Sequence, residues 1–227
     1  MFNTVFKFLG FRKQLVIHNN PQAIRIAAFI SVPKNASKSI LEILELGPNR
    51  NVEDTTSLVI YENHQRAAVL KQRFDLSNLF VFCFARNPYD RTISWYQYCR
   101  DLKLEPYASM PFDVWIKKGM PHHVTVQNGT DFVKENLSPM LQYNYVESQR
   151  IDFIGRMENF NNDMMTIVEK LNALCAQKGL SHRFQFIDYK TNTSTRAPDY
   201  EQYYTPKTKE IIYATLKKDF KFFGYSK

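Results

Sequence analysis

The chain has 227 residues, a formal charge of +8, 44% apolar residues and 15% aromatic ones. That length suits one domain around a single core, and the apolar share is that of an ordinary globular protein. The positive balance favours anionic partners such as nucleotides, acidic glycans or anionic lipid, while the absence of any run of five or six basic residues argues against a nucleic-acid tail. With only 7 glycines, a multi-glycine phosphate loop is not expected. The three cysteines, Cys83, Cys99 and Cys175, are widely spaced and form no CxxC pair, so a structural zinc site has no support. Such cysteine usage suits a reducing compartment, and the expected location is cytoplasmic.

Residues 1–20 read as an N-terminal extension. Met1 to Lys13 carries Phe2, Val5, Phe6, Phe8, Leu9 and Phe11. This stretch is shorter than the roughly 20 apolar residues needed to span a bilayer, and it lacks the cleavage pattern of a signal peptide. Residues 2–11 could lie on a membrane surface as an amphipathic helix; packing against the chain's own domain is the favoured alternative.

Ile24 to Val32 is rich in β-formers and predicts a buried first strand, ended by Pro33. A polar loop from Lys34 to Ser39 leads into a short helix over Ile40 to Leu46, stopped by Gly47-Pro48. Asn63 to Phe74 predicts a helix with Asn63 as its N-cap. Leu79 to Ala85 is a continuous apolar run, as expected of a strand buried on both faces. Arg86 to Asp90 breaks it, and Arg91 to Leu102 predicts a helix.

The stretch from about 105 to 150 is less regular and rich in Pro and Gly, with a helix at Phe112 to Lys118. It reads as an acceptor-facing insertion within one domain. A strand at Ile151 to Arg156 and a helix from Asn159 or Asn161 to about Lys178 follow. Phe184 to Ile187 is a candidate strand, Lys190 to Pro198 a polar loop, and Pro206 to Lys218 a helix capped by Thr205. The alternation predicts an α/β fold, a central parallel sheet flanked by helices on both faces. In such sheets ligands bind beyond the carboxyl ends of the strands.

Two stretches stand at those ends. In the first, Lys34, Asn35, Ala36, Ser37, Lys38 and Ser39 follow Pro33. A loop of this kind can offer backbone N–H groups, hydroxyls and a Lys charge to a phosphate. It lacks the glycines of the triphosphate loop G-x-x-x-x-G-K-S/T, since Val32 and Ser37 stand in their places; the same residues also fit a plain polar connection. In the second, Arg86 opens the stretch Arg86-Asn87-Pro88-Tyr89-Asp90-Arg91-Thr92-Ile93-Ser94-Trp95-Tyr96. Arg86 is suited to a bidentate phosphate contact, or to an Arg–Asp pair that stabilises the turn.

Val32 to Ser39 resembles the 5′-phosphosulfate loop of the carbohydrate sulfotransferases, whose form is close to P-K-T-A-S/G-T-S. Asn35 and Lys38 depart from it. The Arg86 stretch is similar to the same family's 3′-phosphate motif, R-D/N-P-x-D/E-R-x-x-S-x-Y/F, at every fixed position. The two motifs stand in the family's order, about 50 residues apart. That family comprises the Golgi enzymes acting on heparan and chondroitin and their bacterial relatives; for this chain a bacterial cytoplasm is the expected setting.

The resemblance implies a P-loop-like fold and 3′-phosphoadenosine 5′-phosphosulfate (PAPS) as donor, with the desulfated nucleotide PAP as product and no metal. It implies that Lys34 through Ser39 bind the phosphosulfate, that Arg86 and Ser94 bind the 3′-phosphate, and that Asn192, Thr193 and Ser194 form a late loop closing over the nucleotide. Arg91 is expected to buttress the turn. Lys34 would also steady the charge that grows on the leaving oxygen. A general base is needed, and His64 lies where the family's glycan 2-O-sulfotransferases carry a catalytic His, some twenty residues before the second motif; Glu62 is the fallback. The expected acceptor is a hydroxyl, on a carbohydrate by the same resemblance. A P-loop small-molecule kinase and a non-catalytic anion-binding protein of the same fold remain alternatives.

Overall fold

The computed structural model describes residues 24–44, 58–62, 64–101, 103, 108–121, 123–126, 129–132, 141–147, 149–187 and 199–227. The N-terminal extension, the Gly47-Pro48 stop, Asn63 and the Lys190 to Pro198 loop lie outside these residues.

Four parallel strands form the central sheet: β1 (Ala27–Ile30), β2 (Val59–Tyr61), β3 (Phe80–Ala85) and β6 (Phe153–Arg156), in the order β2-β1-β3-β6. β1 pairs with β3 from Ala27↔Phe80 to Ile30↔Cys83, and β3 pairs with β6 from Phe82↔Phe153 to Ala85↔Arg156. An apolar residue at nearly every position marks strands covered on both sides, and the core divides accordingly. On one face Phe29, Phe82 and Phe84 pack against Ile40 and Ile43 of α1 (Ser37–Ile43) and Met164, Ile167 and Leu171 of α6 (Phe160–Gln177). On the other, Ile30, Val81 and Cys83 meet Leu70 of α2 (Ala67–Arg73), Val146 of α5 (Tyr143–Val146) and Phe223 of α8 (Lys217–Phe223). Burial pushes the Cys83 thiol up to about 12, so it is an inert core residue.

A third cluster sits beside the sheet. Tyr96 and Cys99 of α3 (Pro88–Asp101) meet Trp115 and Ile116 of α4 (Phe112–Lys117), Ile212 of α7 (Pro206–Thr215) and Phe220 of α8. α3 begins on Pro88, whose fixed φ suits a first helical residue, and carries Asp90 in its first turn. α7 begins after Thr205, which exchanges side-chain and backbone hydrogen bonds with Thr208 in a capping box.

Several elements differ from the sequence expectation. α1 starts at Ser37, so Ser37, Lys38 and Ser39 belong to the helix rather than to the loop. α2 starts at Ala67, which leaves His64 in a turn with φ 54° instead of in a helix. β2 was hidden in an unpatterned stretch of three residues. Phe184 to Ile187 form no strand; the Phe184 backbone is held by the Asn172 side chain, at 2.8 Å through N–H and 3.0 Å through C=O. The irregular region contains an antiparallel hairpin, β4 (His123–Val126) and β5 (Gly129–Phe132), and the short α5. The last predicted helix is two, breaking at Leu216.

β1 has β2 on one side and β3 on the other, with α1 and α2 on opposite faces. The crevice at such a reversal opens where the strands end. Pro33 and Arg86 lie just beyond the carboxyl ends of β1 and β3.

Candidate active site

Backbone strain marks this crevice. Lys34, Ala36 and His64 all have positive φ, at 69°, 54° and 54°. A left-handed non-glycine residue costs on the order of 1–2 kcal/mol, and such strain collects where a site needs a particular geometry.

The loop after β1 and the turn after β3 are joined. Arg91 is fully buried on α3, and its Nε donates to the Pro33 carbonyl at 3.0 Å. It therefore braces the neighbouring loop. Arg86 donates through Nη1 to the Lys34 carbonyl at 3.1 Å and pairs through Nε with Asp90 at 2.6 Å. The Arg–Asp pair that was the alternative reading of this turn is present, and Arg86 Nη2 makes no hydrogen bond with the described residues. Asn35 is buried, and its Nδ2 donates to the Phe84 carbonyl at 2.5 Å and to Gln142 Oε1 at 2.7 Å.

Lys34 is half-buried, with Nζ 4.2 Å above the Tyr98 ring. Loss of water around the amine, joined by Arg86 and Arg91 and opposed by Cys99 and Asp101, lowers its pKa to about 8. Three cations thus converge, and each has an acidic counterpart: Asp90 for Arg86, Asp219 for Arg91 and Asp101 for Lys34. Residues at i, i+4 and i+8 share one helix face. Ser94 therefore lies between Asp90, which holds Arg86, and Tyr98, which holds Lys34. Lys38 is exposed on α1.

His64 reaches the same place from the β2–α2 connection. Its Nδ1 lies 3.1 Å from the Ser31 carbonyl and 3.2 Å from Ser31 Oγ. A carbonyl only accepts, so a neutral ring carries its proton on Nδ1 and leaves the Nε2 lone pair outward. The residue keeps an exposed edge, while Ser31, on which its ring rests, is fully buried. Loss of water around the ring lowers the His64 pKa, helped by Arg91 and Lys34 and opposed by the Ser31 carbonyl. Ser31 Oγ in turn donates to Ser37 Oγ at 2.9 Å, which ties the His64 mount to the Lys34 loop. Glu62 is buried and ion-paired with Arg73, and so is already engaged.

A sequence comparison joins these residues to a family. The profile of the sulfotransferase family matches residues 27–226. The chain belongs to the sulfotransferase family. A comparison with curated proteins finds no match. Among solved structures, mouse sulfotransferase SULT7A1 complexed with PAP is similar at TM-score 0.46 and 15% identity, over 86% of this chain and 84% of that one.

Within this family enzyme, the structure brings Lys34, Ala36, Ser37, Arg86 and His64 together at the carboxyl ends of the strands, with Asn35 and Ser39 buried and Ser94 on the α3 face that carries Asp90 and Tyr98. Asn192, Thr193 and Ser194 lie outside the described residues. Ser31, Gln142 and Asp219 were missed, as was the seat of Lys34 on Tyr98. Their only signal in the sequence was a polar or aromatic residue inside an otherwise apolar or unpatterned stretch. Among the described residues no group of three His, Cys, Asp or Glu side chains is placed to hold a metal ion, and no helix is long and apolar enough to cross a membrane.

Proposed function

We propose that this enzyme transfers the sulfuryl group of PAPS to a hydroxyl, on a carbohydrate acceptor. The observation that carries the reading is the meeting of Lys34 and Arg86, two mutually repelling cations held over one crevice by a buried hydrogen-bond frame. Such an arrangement is favourable when a multiply charged anion lies between them. PAPS has an anionic group at each end of its ribose, which suits one cation at each end of the crevice.

In this reading Lys34, Asn35 and Ala36 of the loop, with the Ser37 to Ser39 turn that opens α1, take the phosphosulfate, and the open Nη2 of Arg86, with Ser94, takes the 3′-phosphate. Lys38 stays at the outer edge. Asn192, Thr193 and Ser194 would close over the nucleotide. The acceptor oxygen attacks sulfur, the bond from sulfur to the bridging oxygen breaks, and the acceptor proton passes to His64 Nε2. Lys34 stabilises the charge left on the bridging oxygen. The Ser31 carbonyl fixes the tautomer this requires, and the Arg73 pair leaves Glu62 a poor second candidate.

The test is transfer of labelled sulfate from PAPS to a panel of glycan acceptors, with ATP as the control donor. Transfer from PAPS that falls at least about 100-fold in His64→Ala supports the reading. Phosphoryl transfer from ATP with none from PAPS would replace it with a kinase. PAPS binding with no transfer, unchanged by His64→Ala, would leave a binding protein. The cytoplasmic setting and a membrane contact through residues 2–11 belong to the same proposal and are read by fractionating cells with and without that segment.

A further inference from the structure

Three consecutive residues of the Lys34 loop are each held from outside it: Pro33 by Arg91, Lys34 by Arg86, and Asn35 by Phe84 and Gln142. Gln142 touches both phosphate motifs. Its Oε1 accepts from Asn35 Nδ2 at 2.7 Å and from the Arg86 N–H at 2.9 Å, and its Nε2 donates to the Arg86 carbonyl at 2.8 Å. Two donors face the oxygen and an acceptor faces the nitrogen, so the amide fits in one orientation only. The side chain is fully buried.

Gln142 is anchored from behind. Its N–H and that of Tyr143 donate to the two carboxylate oxygens of Asp219 on α8, at 2.9 and 2.8 Å. Asp219 is also fully buried; burial pushes its carboxyl up, while Arg91 and these two N–H groups hold it down. Arg91 thereby links the anchor back to Pro33. The circuit runs from one loop through Gln142 to the other and closes through Asp219 and Arg91.

We propose that Gln142 is a positioning residue that fixes the spacing between the Lys34 loop and Arg86, so that the two anionic ends of the nucleotide are bound cooperatively. The inference rests on the donor assignment above. Gln142 lies behind both loops and acts through Asn35 and Arg86. Loosening it lets each loop meet its own phosphate but uncouples the two events, and the 3′-phosphate then contributes less to affinity.

Calorimetry with adenosine 3′,5′-bisphosphate and adenosine 5′-phosphate separates this role from a plain packing role. The wild-type protein should prefer the bisphosphate by about tenfold or more. Gln142→Glu keeps both acceptor contacts and loses the donor to the Arg86 carbonyl; it should cut that preference to about a third or less. Its KM for PAPS should rise while kcat changes less than about threefold. Gln142→Leu, which lacks all three contacts, should bring the preference close to about one. A parallel loss of both affinities with the preference intact, accompanied by a lower melting temperature, overturns the proposal. If Gln142→Leu does not fold, the near-isosteric Gln142→Glu decides. Failure of the wild-type protein to bind either nucleotide would instead overturn the donor assignment.

Discussion

Lys34 is a cation in a place that disfavours cations. Its pKa of about 8 means that the free enzyme loses this charge just above neutral pH. An anion beside it raises the pKa again, so above pH 8 nucleotide binding must take up a proton. Affinity for PAP should therefore fall as pH rises through 8, with proton uptake visible as a buffer-dependent binding enthalpy. His64 is shifted in the same direction with the opposite consequence: a lowered pKa keeps the proposed base neutral further into acid. The kcat/KM profile should be a bell whose acid limb lies below the ordinary histidine range and whose alkaline limb lies near 8. A profile with no alkaline limb would remove Lys34 from the charge balance. Arg86→Ala should weaken PAP binding by about 10- to 100-fold. Lys34→Ala should lower kcat by on the order of 100- to 1000-fold, more than it raises the donor KM.

At this scale the sequence exposed the residues whose chemistry is local and hid those whose partners are distant. Lys34, Arg86 and His64 stand in stretches with a pattern. Gln142 bonds across 56 and 107 residues of sequence and leaves no local trace. Lys38 departed from the expected loop pattern because its position is the first turn of α1, where its side chain is exposed.

The elements were legible where burial is uniform. β1 and β3 stand in long apolar runs, and α6 repeats its buried positions at Met164, Ile167, Val168, Leu171 and Cys175, the helical spacing. β2 was missed because three residues are too few to set a period, and α5 because it is held by Asp219 rather than by its own pattern. Phe184 to Ile187 carried the composition of a strand, but the Asn172 side chain takes the hydrogen bonds that a neighbouring strand would have made. The contact of β3 with β6 makes its own prediction. A Cβ on Gly155 would stand 2.6 Å from Phe84 Cε1. Gly155→Ala must displace that ring, which also packs on Phe160. It should destabilise the protein by about 1–3 kcal/mol in thermal or denaturant unfolding. Because the strand ends just before Arg86, PAP affinity should fall as well.

The molecule as a whole places its site at the ends of parallel strands whose order turns back at β1, and its net charge of +8 favours anions. Nucleotide association should slow as salt rises, while dissociation changes less. The order of strands was not deducible from the sequence, because alternation of strand and helix fits several windings of one parallel sheet. The placement of both motifs was legible, since each begins where an apolar run stops, and they lie just beyond β1 and β3.

The ties that hold the crevice together bear on how the chain reaches its folded state. Asn35 meets Gln142 across 107 residues, Asn87 meets Tyr200 across 113, and Tyr204 meets Tyr89 across 115. Contacts so far apart in sequence form late, after the strands between them have docked. A ligand that recognises only the joined loops finds no purchase on the folding transition state. PAP should therefore leave the refolding rate unchanged and slow unfolding by nearly the full factor by which it stabilises the protein, so that stopped-flow unfolding shows a longer-lived native state rather than a faster-made one.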